Sequence, residues 1–317
     1  MLIDTHCHLD WESYQEDFDA VMQRNREAGI EKIITIGVDE ESNEKTRSIV
    51  AKNEGVYRCV GYHPELVTRD GFNQEEINRL MKKLDDELII KKTVGVGECG
   101  LDYYCFIRPE NEIKRTEPEI VALKELQHDL FERQILFALK HGLPLSLHVR
   151  DESGDEAYRD VLQILGEYFG EGRDYSEQEF AFSIATLEKN YFQGEQVTVD
   201  ALPTKTEKSK AVGVLHCVSG PIEYVQACID MGFMVSFAGN ITYKNATHIQ
   251  DLARDTPLDQ IVLETDGPFL APLPYRGKRN ESSYIVETAK KIAEIKNIPL
   301  DEVVRITTEN SQRLFSL

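Results

Sequence analysis

Leu2-Ile3-Asp4-Thr5-His6-Cys7-His8 lies at the start of the chain, and its reading decides the fold. It is a short, β-branched, apolar run carrying two histidines. In an extended strand alternate residues share a face, so His6 and His8 point the same way with Asp4 beside them. Seven further runs of this kind follow: Lys32–Gly37, Val56–Gly61, Thr93–Glu98, Pro144–Val149, Gly213–Cys217, Phe233–Ala238 and Ile261–Thr265. Near-continuous apolar runs mark parallel strands covered on both faces. Helical stretches lie between them: Tyr14–Ala28, Glu40–Asn53, Glu75–Leu88, Pro118–His141, Tyr158–Tyr168, Ile222–Met231, Ala246–Ala253 and Ser282–Lys296. Gly29, Gly142 and Gly232 stand where three of them end, as the left-handed closing residue requires. Strict alternation with eight strands predicts an α/β fold, a TIM-type (β/α)8 barrel, ahead of a doubly wound open sheet.

The 317 residues suit one large barrel domain over 1–317. Two segments exceed ordinary connections. Residues 103–117 are charged and contain a proline, and residues 169–210 mix glycine, acidic and aromatic residues. The second reads as an insertion on the barrel rim between strands five and six.

Lys and Arg number 36 against 56 Asp and Glu, a net charge of −20. So acidic a surface argues against a non-specific duplex binder, which carries a basic stripe. It leaves room for an enzyme that grips phosphates locally. Six scattered cysteines without a CxxC pair argue against a disulfide scaffold and a thiolate zinc site. No nucleotide-binding glycine motif follows a strand. No stretch has the roughly 20 apolar residues of a membrane span, and the N-terminus has no leader pattern. A cytoplasmic monomer without membrane attachment is expected.

The chemistry collects at predicted strand ends. Glu98 ends the fourth strand, His148 the fifth, His216 the sixth and Asp266 the eighth. In such a barrel these ends share one mouth, where active sites lie. With His6 and His8 they make four imidazoles and two carboxylates, a donor set for borderline divalent metals such as zinc, manganese or cobalt. Glu98 is placed to bridge two ions.

These residues stand in motifs that resemble the TatD-type metal-dependent deoxyribonucleases, within the amidohydrolase-like barrel hydrolases. The resemblance runs through Asp4-Thr5-His6-Cys7-His8, Gly61-Tyr62-His63-Pro64 and Gly97-Glu98-Cys99-Gly100-Leu101-Asp102-Tyr103-Tyr104. It continues through Leu147-His148-Val149-Arg150-Asp151, His216-Cys217-Val218-Ser219-Gly220, Glu264-Thr265-Asp266-Gly267-Pro268-Phe269 and Arg279-Asn280-Glu281, and closes with Asn310 and Leu314-Phe315. The resemblance implies two metal sites: His6, His8 and Asp266 at the first, His148 and His216 at the second, and Glu98 between them. The two cofactor ions would be magnesium, manganese, zinc or cobalt.

The sequence departs from the family pattern at Val218, where phenylalanine is usual, and at Gly267-Pro268-Phe269, where Ala-Pro-Tyr is frequent. The intervals from Glu98 to His148 and from His148 to His216 are longer than the pattern leads one to expect.

The expected function is a divalent-metal-dependent hydrolase, a deoxyribonuclease or exonuclease cleaving phosphodiester bonds with a metal-activated water. DNA is the expected partner, as single strands or frayed ends, because a charge of −20 suits a short, end-bound substrate. The alternative is an ester or amide hydrolase, acting for example on aminoacyl-RNA or a small cyclic amide. Asp266, Glu98 and His63 are the candidate catalytic residues. Asp266 either takes a proton as general base or serves only as a ligand. His63 donates to the phosphate or leaving oxygen, or sits in a supporting role. The candidate substrate contacts are His63, Arg150, Tyr104, Arg276 and Arg279. Arg279 can instead pair with Glu281, and one of Tyr103 and Tyr104 is expected to pack. Cys7, Cys99 and Cys217 alternate away from the ligands and read as wall-filling residues. Whether Trp11 and Tyr14 lean over the mouth or pack beneath it is open at this level.

Overall fold

A computed structural model describes residues 1–108, 115–151, 154–170 and 212–317. Eight strands form one parallel sheet in chain order: β1 (Leu2–Cys7), β2 (Ile30–Ile36), β3 (Val56–Val60), β4 (Thr93–Asp102), β5 (Leu145–Arg150), β6 (Gly213–Leu215), β7 (Phe233–Phe237) and β8 (Ile261–Leu263). The first and last strands meet through a Cys7–Gly267 bridge. There the Asp266 N–H donates to His6 O at 2.9 Å and the His8 N–H to Gly267 O at 2.7 Å. The Asp4 carboxylate seals the same seam, accepting from the Thr265 N–H at 3.0 Å and its hydroxyl at 2.6 Å. A nearly closed (β/α)8 barrel results, as the alternation predicts.

The helices among the described residues are α1 (Phe18–Glu27), α2 (Glu40–Lys52), α3 (Gln74–Glu87), α4 (Glu117–His141), α5 (Glu156–Phe169), α6 (Ile222–Asp230), α7 (Thr247–Asp255), α8 (Ile285–Lys296) and α9 (Leu300–Phe315). Three of the starts have a side-chain cap. Asp39 caps α2 by accepting from the Ser42 N–H, Asn73 caps α3 through the Glu75 and Glu76 N–H groups, and Thr116 forms a reciprocal box with Glu119 on α4. Gly142 closes α4 at φ 61°, a left-handed value glycine adopts freely. None of these helices is long and apolar enough to cross a membrane.

Several boundaries depart from the sequence reading: β4 runs on to Asp102, so Glu98 lies within the strand rather than at its end. A 3-10 turn at Glu12–Tyr14 precedes α1, which starts only at Phe18. The buried Tyr14 hydroxyl donates to Asn280 O at 2.6 Å, so Tyr14 packs beneath the mouth. β6 and β8 end early because Cys217 and Asp266 take left-handed φ values of 41° and 56°. α9 is absent from the sequence reading as a helix, although Asn310, Leu314 and Phe315 are part of the resemblance. Its Asn310 amide donates to Ile261 O at 2.8 Å and Leu258 O at 2.9 Å, tying the helix to the start of β8. Leu314 and Phe315 then cluster with Ile34, Ile36, Cys59, Val214, Met234 and Val262 to fill the barrel interior away from the mouth.

The expected insertion over 169–210 has only Phe169 and Gly170 among the described residues, and 109–114 of the 103–117 segment also lies outside them. All six cysteines are free thiols.

Candidate metal centre at the barrel mouth

β1 carries His6, and His8 follows its last residue; the two rings come together at 5.1 Å between centroids, and both are buried. The His6 ring crosses the barrel: its Nδ1 is 3.3 Å from the Ser146 hydroxyl on β5, and its plane stacks on His216 at 3.5 Å between centroids. Glu98, also buried, reaches the centre from β4. Its two oxygens face different neighbours. Oε2 lies 3.6 Å from His6 Nε2 and 3.8 Å from His8 Nε2. Oε1 lies 2.8 Å from His148 Nδ1 and 3.6 Å from His216 Nε2. Asp266 Oδ1 completes the first side, 3.4 Å from His8 Nε2 and 3.9 Å from His6 Nε2.

Donor atoms of His6, His8 and Asp266 thus lie within 4.8 Å of one another, as do those of Glu98, His148 and His216. This set fits divalent ions in kind, and His6 Nε2 is buried without a hydrogen-bond partner although two carboxylates stand near it. An aromatic nitrogen left bare in such a place is what a ligand position requires.

Burial drives the electrostatics, and the opposite charges decide the outcome. Burial alone would raise the Glu98 carboxyl, but His216, His148 and His6 hold it well below its usual range. The Asp266 carboxyl is likewise lowered: burial would raise it, but the hydrogen bond to His8 and the charges of His216, His8 and His6 together outweigh that. His148 and His216 are lifted to about 10 and about 9 against their burial, by Asp102 and Glu98 in one case and by Glu264 and Glu98 in the other. His6 is lowered by burial and by His216.

Two carboxylates outside the predicted set back these rings. Asp102 Oδ2 lies 3.1 Å from His148 Nε2, on the ring edge away from Glu98. Glu264 Oε1 lies 3.0 Å from His216 Nδ1 while also accepting the Cys217 N–H at 2.7 Å. Both stand inside motifs quoted from the sequence, yet no role is legible there, because each contact crosses between residues remote in the chain. The β4–β5 register, which pairs Gly100 with His148 and Asp102 with Arg150, creates the first. It also needs glycine at 100: at φ 136°, a Cβ there would come within 2.0 Å of His148 O.

His63 enters the same mouth, its Nε2 3.7 Å from Glu98 Oε1. Its Nδ1 accepts the Glu65 N–H at 3.1 Å, which leaves the proton on Nε2. Burial and the neighbouring His148 lower its pKa to about 4, so the ring is neutral near pH 7.

The candidate substrate contacts separate. Arg150 shares the His148 face of β5 and is exposed, with the Tyr104 ring beneath its guanidinium at 4.0 Å. Tyr104 is therefore covered on that side by a cation. Tyr103 is the tyrosine that packs, its hydroxyl between Asp160 at 2.5 Å and His128 at 2.6 Å. Arg276 is exposed and lies over Tyr243 at 4.3 Å. Arg279 is committed elsewhere: it donates to both oxygens of Asp17, at 2.7 and 2.8 Å, and to Glu281 at 3.0 Å. The expectation of a phosphate contact at Arg279 gives way to this ion-pair cluster, because an occupied guanidinium has no fork left for a ligand.

Comparison with known proteins agrees with the geometry. The family model described as TatD related DNase matches residues 3–316. The chain belongs to the TatD family. A Bacillus subtilis (strain 168) relative, named uncharacterized metal-dependent hydrolase YabD, is 31% identical over 318 residues and covers 100% of both chains. The Escherichia coli (strain K12) relative YcfH, also named an uncharacterized metal-dependent hydrolase, is 29% identical over 319 residues, with 100% of this chain and 96% of its own covered. Among solved structures, the TatD homologue YjjV from Escherichia coli superimposes with a TM-score of 0.73 at 23% identity, over 100% of this chain and 98% of its own. At that identity the likeness speaks for the barrel of this TatD-family chain alone.

Proposed function

We propose that this TatD-family protein is a two-metal hydrolase of phosphodiester bonds, acting on DNA as single strands or frayed ends. The observation that carries the reading is the division of labour at Glu98, whose two oxygens face two separate pairs of histidines, His6 with His8 and His148 with His216. His6, His8 and Asp266 would hold one ion and His148 and His216 the other, with Glu98 shared.

Divalent ions bound there would supply Lewis-acid chemistry, an acidified water and neutralisation of charge on the phosphate oxygens. The chain's own residues do the rest. Asp266, the least buried of the central carboxylates, offers an oxygen to accept the proton of the attacking water. His63 Nε2–H donates to a phosphate oxygen or to the leaving oxygen. Asp102 and Glu264 hold the rings of His148 and His216 in one orientation, the role outer carboxylates take at histidine sites. Arg150 and Arg276 supply exposed positive charge for the backbone in an otherwise acidic surface. That surface, at −20 overall, disfavours long duplex tracts and leaves short, end-bound strands as the substrate.

The test is cleavage of end-labelled single-stranded DNA by chelator-treated protein re-supplied with magnesium, manganese, cobalt or zinc, with Asp266→Asn as control. Stepwise, metal-requiring shortening lost in the variant is the expected result. Absence of cleavage in protein that binds two ions would overturn the phosphodiester reading and point to an ester or amide substrate in the same site.

A further inference from the structure

Trp11 and Phe269 are the two aromatic residues among the exposed large apolar side chains of the described residues, with 45% and 43% of their surfaces accessible. They are far apart in sequence yet adjacent in space. Their ring centroids are 5.2 Å apart at an interplanar angle of 75°, so they form two walls of a corner rather than a closed stack. The corner stands on the active centre itself. His8 lies 6.4 Å from Trp11 and 6.1 Å from Phe269, centroid to centroid. Leaving two large aromatic faces in water beside a candidate ligand sacrifices hydrophobic stabilisation that burial would have gained.

The strand order sets what lies opposite. Trp11 follows β1 and Phe269 follows β8, which meet at the barrel seam, while Arg150 ends β5, across the ring of strands. The mouth therefore has an aromatic wall on one side, an exposed cation on the other, and the Glu98 centre between them. A flat, uncharged π-face joined to an anionic backbone matches that order of chemistry.

We propose that the Trp11–Phe269 corner is a docking site for one unpaired nucleobase next to the scissile phosphate, with Arg150 taking a backbone phosphate on the far rim. The inference rests on the nucleic-acid reading above. A base can enter the corner only when it is out of a duplex stack, so the site selects single strands and frayed ends through contact, in addition to charge. Stacking on an aromatic side chain is indifferent to base identity, because every base has a π-face.

The chain contains a single tryptophan, so its intrinsic tryptophan emission reports on Trp11 alone. The experiment titrates the metal-loaded full-length protein with a short phosphorothioate-linked single strand, and with the same strand lacking its terminal base. Quenching that requires the base is expected, with the midpoint weakened about tenfold in Phe269→Ala and restored in Phe269→Tyr. In cleavage assays Trp11→Ala should raise KM about tenfold at unchanged kcat and unchanged metal content. Equal quenching by the strand without its base, or a Phe269→Ala midpoint equal to wild type, would overturn the proposal. Metal-dependent DNA cleavage without base-dependent quenching would discard the base site and leave the nuclease reading standing. Base-dependent quenching without cleavage would do the reverse.

Discussion

His148 stands with its Nε2 3.1 Å from the fully buried carboxylate of Asp102, while its Nδ1 faces Glu98 at 2.8 Å. One ring nitrogen is therefore oriented by a buried carboxylate on the side away from Glu98. Replacing Asp102 by Asn keeps the shape and removes the charge. Affinity for one of the two ions should fall by about 10- to 100-fold, with the other little changed, as is usual when an outer carboxylate is lost. Metal titration by calorimetry checks this, and unaltered affinities at both sites would remove Asp102 from the positioning role.

Glu98 faces the two donor groups with separate oxygens, Oε2 towards His6 and His8 and Oε1 towards His148 and His216, whereas Asp266 reaches His216 only at 3.9 Å. Glu98→Gln should lose both ions rather than one, and hydrolysis with them. The metal content of purified protein after dialysis decides it. One ion retained at full occupancy would show that Glu98 does not bridge.

Chelation should abolish activity while leaving the barrel folded, because the core clusters are built from apolar side chains that do not include the ligands. Circular dichroism before and after treatment reads the fold, and re-addition of a divalent ion should restore activity. Global unfolding on chelation would contradict this separation.

Phe315 is 2% exposed and joins the cluster that fills the barrel interior. Phe315→Ala leaves a cavity under the strands, and such truncations destabilise by about 3–5 kcal/mol. Denaturant unfolding measures the loss. A change below about 1 kcal/mol would mean that α9 is not part of the cooperative core.

Acid should loosen the Asp17 cluster. Hydrogen bonds from Arg279 and Arg24 lower the Asp17 carboxyl from an ordinary 3.8 to about 2. A depressed folded-state pKa gives stabilisation that is complete above the unfolded value and lost as pH falls through the folded one. The stability difference between wild type and Asp17→Asn should therefore hold steady above about pH 4 and shrink towards pH 2. Asp17 is partly exposed, so solvent keeps the effect small. A difference that grew on acidification would reverse the assignment.

Local pattern alone determined much of this protein. The alternation of β-branched runs and amphipathic stretches sets the barrel, because a parallel strand needs a crossover helix and both faces covered. Strand alternation puts His6 and His8 on one face, and the fold rule sends Glu98, His148, His216 and Asp266 to one mouth. The tertiary structure decided what depends on contacts between residues remote in the chain. The Asp102–His148 and Glu264–His216 pairs arise from inter-strand neighbours, and no local period reports them. The sequence offers Arg279 a phosphate contact or a pair with Glu281; the pair forms, but Asp17, over 200 residues away, is a partner that no local pattern reports. Trp11 and Phe269 meet only because closing the barrel brings the end of β1 beside the end of β8. Sequence periodicity specifies which face a side chain takes; barrel closure specifies which faces meet.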